Sequence, residues 1–292
     1  MTQHRSAWRT YAALTAVLLL WPSAFVGIRA SLQFYSAGEV ALLRYLVASL
    51  VLIVYCIAKK VPLIPLRDWP LTAVAGFMGF SLYSVAVNRG EATVTAAAAS
   101  FIVNTVPIFS SLLAVAFLGE RTRAVMWFGT FVSIVGTFVI ALGEGKGIHF
   151  DSGVLYLLVA AIAQAVYFVL QKPLLSRHSA LQVTSLAIWT GTLLLLPYLS
   201  GLWLDVPRAP HAATIAVLYL GTFPTIIGYV AWAYVLSKMP ISSASPFLYI
   251  VPVNTILIGW IWLREMPSGL SIAGGCLSLL GVAIMKRRAG MS

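Results

Sequence analysis

Residues 99–120 read ASFIVNTVPIFSSLLAVAFLGE, and residues 244–265 read ASPFLYIVPVNTILIGWIWLRE. At an offset of 145, Ala99 falls on Ala244, Ser100 on Ser245, Val106-Pro107 on Val251-Pro252, Leu112 on Leu257, Leu118 on Leu263 and Glu120 on Glu265. The register continues, with Gly129, Ser133 and Gly136 on Gly274, Ser278 and Gly281, so that ten of the 42 positions from Ala99 to Ile140 are identical. Apolar bias alone accounts for about three or four. Upstream, Gly76, Val85 and Ala86 meet Gly221, Val230 and Ala231. The chain therefore reads as two copies of one unit, near 1–145 and 150–288.

Only 9% of the 292 residues are charged, 60% are hydrophobic and the mean hydropathy is +0.94. A soluble domain carries roughly 25% charged residues. The deficit excludes a water-soluble, a disordered and a disulfide-stapled secreted protein, leaving a polytopic membrane protein. Cys56 and Cys276 each sit in an apolar run and read as small buried side chains, with no disulfide or metal site.

Ten apolar runs follow: Thr10–Ile28, Val40–Ala58, Trp69–Asn88, Ala92–Gly119, Ala124–Gly143, Ser152–Gln171, Ser179–Leu204, Ala212–Ser237, Met239–Leu263 and Met266–Met285. Each is close to the roughly 20 residues a membrane-crossing helix needs, and continuously apolar where a barrel strand would alternate. Arg5 and Arg9 precede the first run as in a signal peptide, but no cleavage site follows, so it reads as a retained helix. Among the runs, only the second holds a charge, Arg44.

With the N-terminus inside, Arg5, Arg9, Lys59, Lys60, Arg67, Arg121, Arg123, Lys172, Arg177, Lys238, Lys286, Arg287 and Arg288 face the cytoplasm. Arg29, Arg89, Lys146, Arg208 and Arg264 face outward. That bias of 13 against 5 sets both termini in the cytoplasm of an inner, cytoplasmic membrane. The net charge of +11 is then a topological rim meeting anionic headgroups, and no nucleic-acid partner is expected. Five is odd, so the second copy enters the membrane inverted. The expected fold is an all-α polytopic membrane protein of ten transmembrane helices in two inverted five-helix repeats, an arrangement typical of transporters.

These residues resemble the drug/metabolite transporter superfamily in its ten-helix EamA-type branch. The resemblance is carried by Trp21-Pro22-Ser23-Ala24-Phe25, Arg44, Asn104-Thr105-Val106-Pro107 with Glu120, and the duplicated Val251-Pro252 with Glu265. Within that branch the chain is similar to the YddG-type amino-acid exporters. The resemblance implies an exporter of amino acids or other metabolites. The halves differ at two informative places: Ala187 stands roughly where Arg44 does, and Gln164 where Trp21 does.

Polar groups in membrane helices tend to face a bundle interior or a wet cavity. At helical spacing they mark Ser81, Ser84 and Asn88 with Tyr83 beside them; Ser100, Asn104, Pro107 and Ser111; Gln164, Tyr167 and Gln171; Thr222, Thr225, Tyr229 and Trp232; and Ser242, Ser245, Tyr249 and Pro252. Trp21 and Phe25 lie one turn apart on the first helix. The substrate-binding candidates are Trp21, Phe25, Ser81, Tyr83, Ser84, Asn88, Ser100, Asn104, Gln164, Tyr167, Gln171, Tyr229, Trp232, Ser245 and Tyr249. The competing reading of any one of them is a helix–helix hydrogen bond. Pro107 and Pro252 are gate or hinge candidates, or simple packing kinks. Helices five and ten, with their small residues, read as scaffold. Glu120 and Glu265 read as acids at the start of the following helix. Arg44 reads either as snorkelling to the interface or as a carboxylate contact at the outer mouth.

Every acid and histidine lies in a loop, a terminus or a helix end by this reading, so the expected pocket is uncharged and transport is facilitated, without proton coupling. No HExxH, GxSxG or P-loop lysine is present, so neither an enzyme nor a cofactor is expected. The expected partners are a small-molecule substrate and the lipid bilayer, with the chain a monomer or weak homodimer. The expected activity is amino-acid export, aromatic and apolar ones included, by alternating access. The alternatives are export of another metabolite or drug and, behind that, a channel.

Overall fold

The computed structural model describes residues 2–93, 96–143, 152–263 and 268–289. Its helices are α1 (Thr2–Ser31), α2 (Ala37–Ala58), α3 (Leu66–Thr93), α4 (in two pieces, Ala96–Val103 and Val106–Leu118) and α5 (Ala124–Gly143). They continue as α6 (Ser152–Leu175), α7 (Ala180–Asp205), α8 (His211–Lys238), α9 (Ile241–Ile261) and α10 (Gly269–Ala289). Among the described residues there is no strand. Eight of these helices are long and apolar enough to cross a membrane, while α5 and α10 hold shorter apolar helices, Ala124–Gly136 and Ile272–Ile284. Large apolar side chains such as Ile57, Trp203 and Ile261 stay exposed, as a lipid-facing surface requires. The chain is a multi-pass membrane protein.

The second helix of each half starts with the same device. Ser36 accepts from the Glu39 backbone N–H while the Glu39 carboxylate accepts from Ser36 N, at 2.7 Å. Ser179 and Gln182 repeat this at the head of α7. Each capping box satisfies two donors that a helix start leaves open. The seventh apolar run begins at its cap, Ser179, whereas the second begins four residues past Ser36.

Several helices are interrupted or lose a backbone donor, most of them at a proline. Pro22 cannot donate to the Leu18 carbonyl, and Asn254 of α9 donates to that oxygen instead, at 2.7 Å. α4 breaks at Asn104-Thr105 just before Pro107, and α9 tightens to a 3-10 turn over Ser245–Ile250 just before Val251-Pro252. The single runs expected over Ala92–Gly119 and Met239–Leu263 are therefore each divided at the proline. α3 and α8 both widen into π-helix, at Phe77–Leu82 and Gly221–Gly228. A π-turn inserts an extra residue and rotates everything beyond it.

Helix directions follow from pairs of contacts. As the numbering climbs along α2 from Tyr45 through Ser49 to Cys56, its α7 partners fall from Thr192 to Ser185, so α2 and α7 run antiparallel. On α5 and α10, Gly136 lies against Gly274 and Ser278, and Gly281 against Gly129 and Ser133. That crossing is antiparallel too, and Ser133 Oγ seals it by donating to the Ser278 carbonyl at 3.0 Å. α1 packs on α8 and α9, and α6 on α3 and α4; α2 lies against α8, and α7 against α3.

Candidate functional site

One cavity stands out in the bundle. Its open space, solvent at the mouth included, is about 600 Å³. α1, α2, α3, α4, α6, α8 and α9 all contribute to its wall, whereas no described residue of α5, α7 or α10 does.

The wall is aromatic on one side. Trp21 and Phe168 stack with centroids 6.3 Å apart, and Tyr229 lies 5.2 Å from Trp21. Gly228 makes room for the Trp21 indole, because a Cβ there would lie 2.7 Å from Nε1. Behind these rings a second aromatic layer is fully buried: Phe80, Tyr167 and Trp232 pack on Tyr229, Phe168 and Trp21 at centroid distances of 4.8–6.1 Å.

Of the sequence candidates, Trp21, Phe25, Tyr83, Ser100, Asn104, Gln164 and Tyr229 line this cavity. Three of them carry buried polar atoms with no hydrogen-bond partner: Trp21 Nε1, Asn104 Nδ2 and Gln164 Oε1. Buried polar atoms are nearly always paired in folded proteins, and here two donors and one acceptor without a protein partner lie at one cavity.

The remaining candidates lie elsewhere. Ser81 donates to the Gly191 carbonyl, Ser84 bonds the Tyr45 hydroxyl and Asn88 donates to the Ala37 carbonyl. Ser245 meets Ser111 at 3.3 Å across the α4–α9 contact. Tyr167 and Trp232 belong to the second aromatic layer, and Tyr249 packs beside Val282 of α10. Gln171 is buried with both amide atoms unpartnered, outside the cavity wall. Val106 and Val251, the neighbours of Pro107 and Pro252, line the cavity.

Arg44 does not snorkel, and no described carboxylate of the chain lies within ion-pair distance of it. It is 4% exposed and forms part of the cavity wall, so the pocket is not uncharged. Its Nε donates to Thr225 Oγ1 at 2.6 Å, and its guanidinium carbon lies 5.4 Å from the Tyr45 ring centre. Glu91 lies at a helix end as expected, but it is buried. It lies within α3, 1% exposed, with both carboxylate oxygens unpartnered and with Arg29 and Arg44 as the cations whose charge reaches it. Cys276, expected inside, is exposed on α10.

At the end of the bundle where α3 and α9 begin and α4, α6 and α8 finish, polar contacts close the structure. Asp68 pairs with Arg177 at 2.9 Å and His178 at 2.7 Å. Lys172 donates to the Leu236 and Met239 carbonyls. Glu120 caps α9 rather than the helix that follows it in sequence, accepting from Ile241 N, Ser242 N and Ser242 Oγ at 2.9, 2.9 and 2.6 Å. Its sequence counterpart Glu265 lies outside the described residues.

The fold is thus a membrane-helix bundle with a ring-lined cavity between its helices. The chain belongs to the EamA-like transporter family, whose model matches residues 8–142 and again 151–287. It is 38% identical to the uncharacterized transporter YdfC of Bacillus subtilis, over 90% of this chain and 86% of that one. It is 38% identical to a probable terminal-alkyne amino-acid exporter of Streptantibioticus cattleyicolor, over 94% of this chain and 93% of that one. A solved crystal structure matches with a TM-score of 0.77 at 20% identity, covering 94% of this chain and 95% of that chain, which supports the same fold.

Proposed function

We propose that the protein exports amino acids, aromatic and apolar ones included, across the cytoplasmic membrane by alternating access. The cavity carries this reading. Stacked rings suit an apolar side chain, and orphan donors and an orphan acceptor beside them suit a carboxylate and an ammonium. The relative named as an amino-acid exporter, at 38% identity, supports the cargo class.

The mechanism proposed is a rocking of two inverted five-helix repeats, 1–145 and 150–288, that together cross the membrane ten times. Supporting it, α2 and α7 run antiparallel, as do α5 and α10, and in each pair the members hold corresponding positions in the two halves. The two π segments and the two proline breaks also fall at corresponding positions. The cross-packing is unchanged when the halves are exchanged: α1 on α9 mirrors α6 on α4, and α2 on α8 mirrors α7 on α3. We read both termini and the polar-sealed end as cytoplasmic from the charge bias, and this conformer as cytoplasm-closed.

Counterflow in proteoliposomes tests the cargo. Labelled phenylalanine or leucine should accumulate transiently against unlabelled amino acid inside, with saturation. No counterflow for any amino acid contradicts the cargo, and flux without saturation favours a channel.

Facilitated transport assumes that no titratable group is buried among the helices, and Glu91, in the last turn of α3, is a buried carboxylate. Its burial favours a second reading of the energetics, in which export is coupled to a proton. Under facilitated transport an imposed pH gradient leaves the accumulation ratio at one. Under coupling the gradient drives accumulation, and Glu91→Gln abolishes it.

A further inference from the structure

We propose that Arg44 recognises the substrate's carboxylate, so that the transported class is defined by a free carboxylate and excludes simple amines and neutral amides. This rests on the transport reading above and narrows its substrate class.

The position of Arg44 is set by a relay that starts at a proline. Pro224 lacks an N–H, so the Leu220 carbonyl cannot take the usual donor four residues on, and the helix widens to π here. The Thr225 hydroxyl donates to that oxygen at 2.8 Å. With its proton committed there, Thr225 Oγ1 presents lone pairs, and Arg44 Nε donates into them at 2.6 Å. Gly221 brings the two helices close enough for this, since a Cβ there would lie 2.6 Å from the Arg44 carbonyl.

The relay fixes the Nε edge of the guanidinium and leaves the terminal nitrogens. They have no hydrogen bond to a described residue, and no described carboxylate lies within ion-pair distance of Arg44. A guanidinium taken out of water without a partner is costly, and a planar fork matches a carboxylate through two parallel bonds. The orphan Trp21 Nε1 and Asn104 Nδ2 add two donors to the same cavity. Arg44 therefore supplies the charge, Thr225 is its positioning residue, and the rings accept the rest of the molecule.

The alternative partner for Arg44 within the chain is Glu91, which feels its charge without pairing with it. Glu91→Gln separates the two. If Glu91 were the partner, removing its charge would alter ligand discrimination as strongly as removing Arg44.

Titration calorimetry on the full-length protein in detergent tests this without relying on transport. The probes are L-phenylalanine, 3-phenylpropionate, L-phenylalaninamide and phenethylamine. The wild type should bind the two carboxylates at least about tenfold more tightly than the amide and the amine, the scale of a lost charge-assisted contact. Arg44→Gln should weaken the carboxylates about 10- to 100-fold and leave the amide unchanged. Arg44→Lys keeps the charge but not the fork, and should still lose about tenfold; it carries the test if Arg44→Gln does not fold. Thr225→Val should weaken the carboxylates several-fold while keeping the preference, and Glu91→Gln should keep it in full.

Equal binding of acid and amide by the wild type overturns the proposal, as does an Arg44→Gln protein that folds and still discriminates, or the absence of any carboxylate binding. If 3-phenylpropionate binds through Arg44 while no amino acid shows counterflow, the cargo reading falls and the Arg44 assignment stands.

Discussion

Arg44 on α2 and Ala187 on α7 occupy the same point of two joints built alike. In one, Gly221 of α8 lies against the Arg44 carbonyl; in the other, Gly76 of α3 lies against the Ala187 carbonyl. Both helices start from a serine capping box, and both joints sit where the opposing helix turns to π. The backbone geometry is duplicated and the side chain is not. One joint presents a guanidinium to the cavity, while the other ends in a methyl group sealed against its neighbours. The two halves thus share the parts that set helix approach, while the charge at the cavity comes from the first half alone.

The largest effect should come from forcing the two joints to be alike. Ala187 is fully buried, so Ala187→Arg places an unpaired charge among packed helices and should cost on the order of 3–5 kcal/mol. Denaturant unfolding and the yield of monodisperse protein measure it. A stable Ala187→Arg protein would mean that the second joint has a cavity of its own.

Overfilling the shared backbone contact comes next. Gly221→Leu and Gly76→Leu each drive a side chain into a carbonyl and should each cost about 1–3 kcal/mol. Their effects on stability should be similar, but only Gly221→Leu should also weaken substrate affinity, because it moves the backbone that carries Arg44. Equal losses of affinity would contradict the division of labour between the halves.

The smallest effect belongs to the caps. Ser36→Ala and Ser179→Ala should each cost about 1 kcal/mol and should add in the double variant, because the boxes head different helices. A thermal unfolding series checks this.

How far the sequence reaches can be judged residue by residue. Apolar periodicity and the 145-residue offset locate the helices, because membrane burial acts on whole segments and leaves its mark in composition. Trp21, Phe25, Ser100, Asn104, Gln164 and Tyr229 are found from spacing because each lies on a helix that borders the cavity. Ser81, Ser84 and Asn88 share a face on an ideal helix, but the π segment at Phe77–Leu82 shifts the register. Beyond it, Tyr83 and Val87 face the cavity, while Ser84 turns to Tyr45 and Asn88 to Ala37. Nothing in a one-dimensional pattern says whether a hydroxyl bonds a neighbouring helix or a solute. Arg44 was visible as a lone charge, but its placement depends on Pro224 and Thr225, about 180 residues away, which only the packing of α2 on α8 brings together.

The most direct test is two-sided accessibility of one cavity position. With Cys56 and Cys276 replaced by serine, Ser100→Cys in reconstituted vesicles can be challenged with a membrane-impermeant thiol reagent from either face. Alternating access predicts modification from both faces, slowed by saturating substrate, with no leak of reagent across the membrane. Modification from one face only under every condition, or free passage of the reagent through the protein, would contradict it.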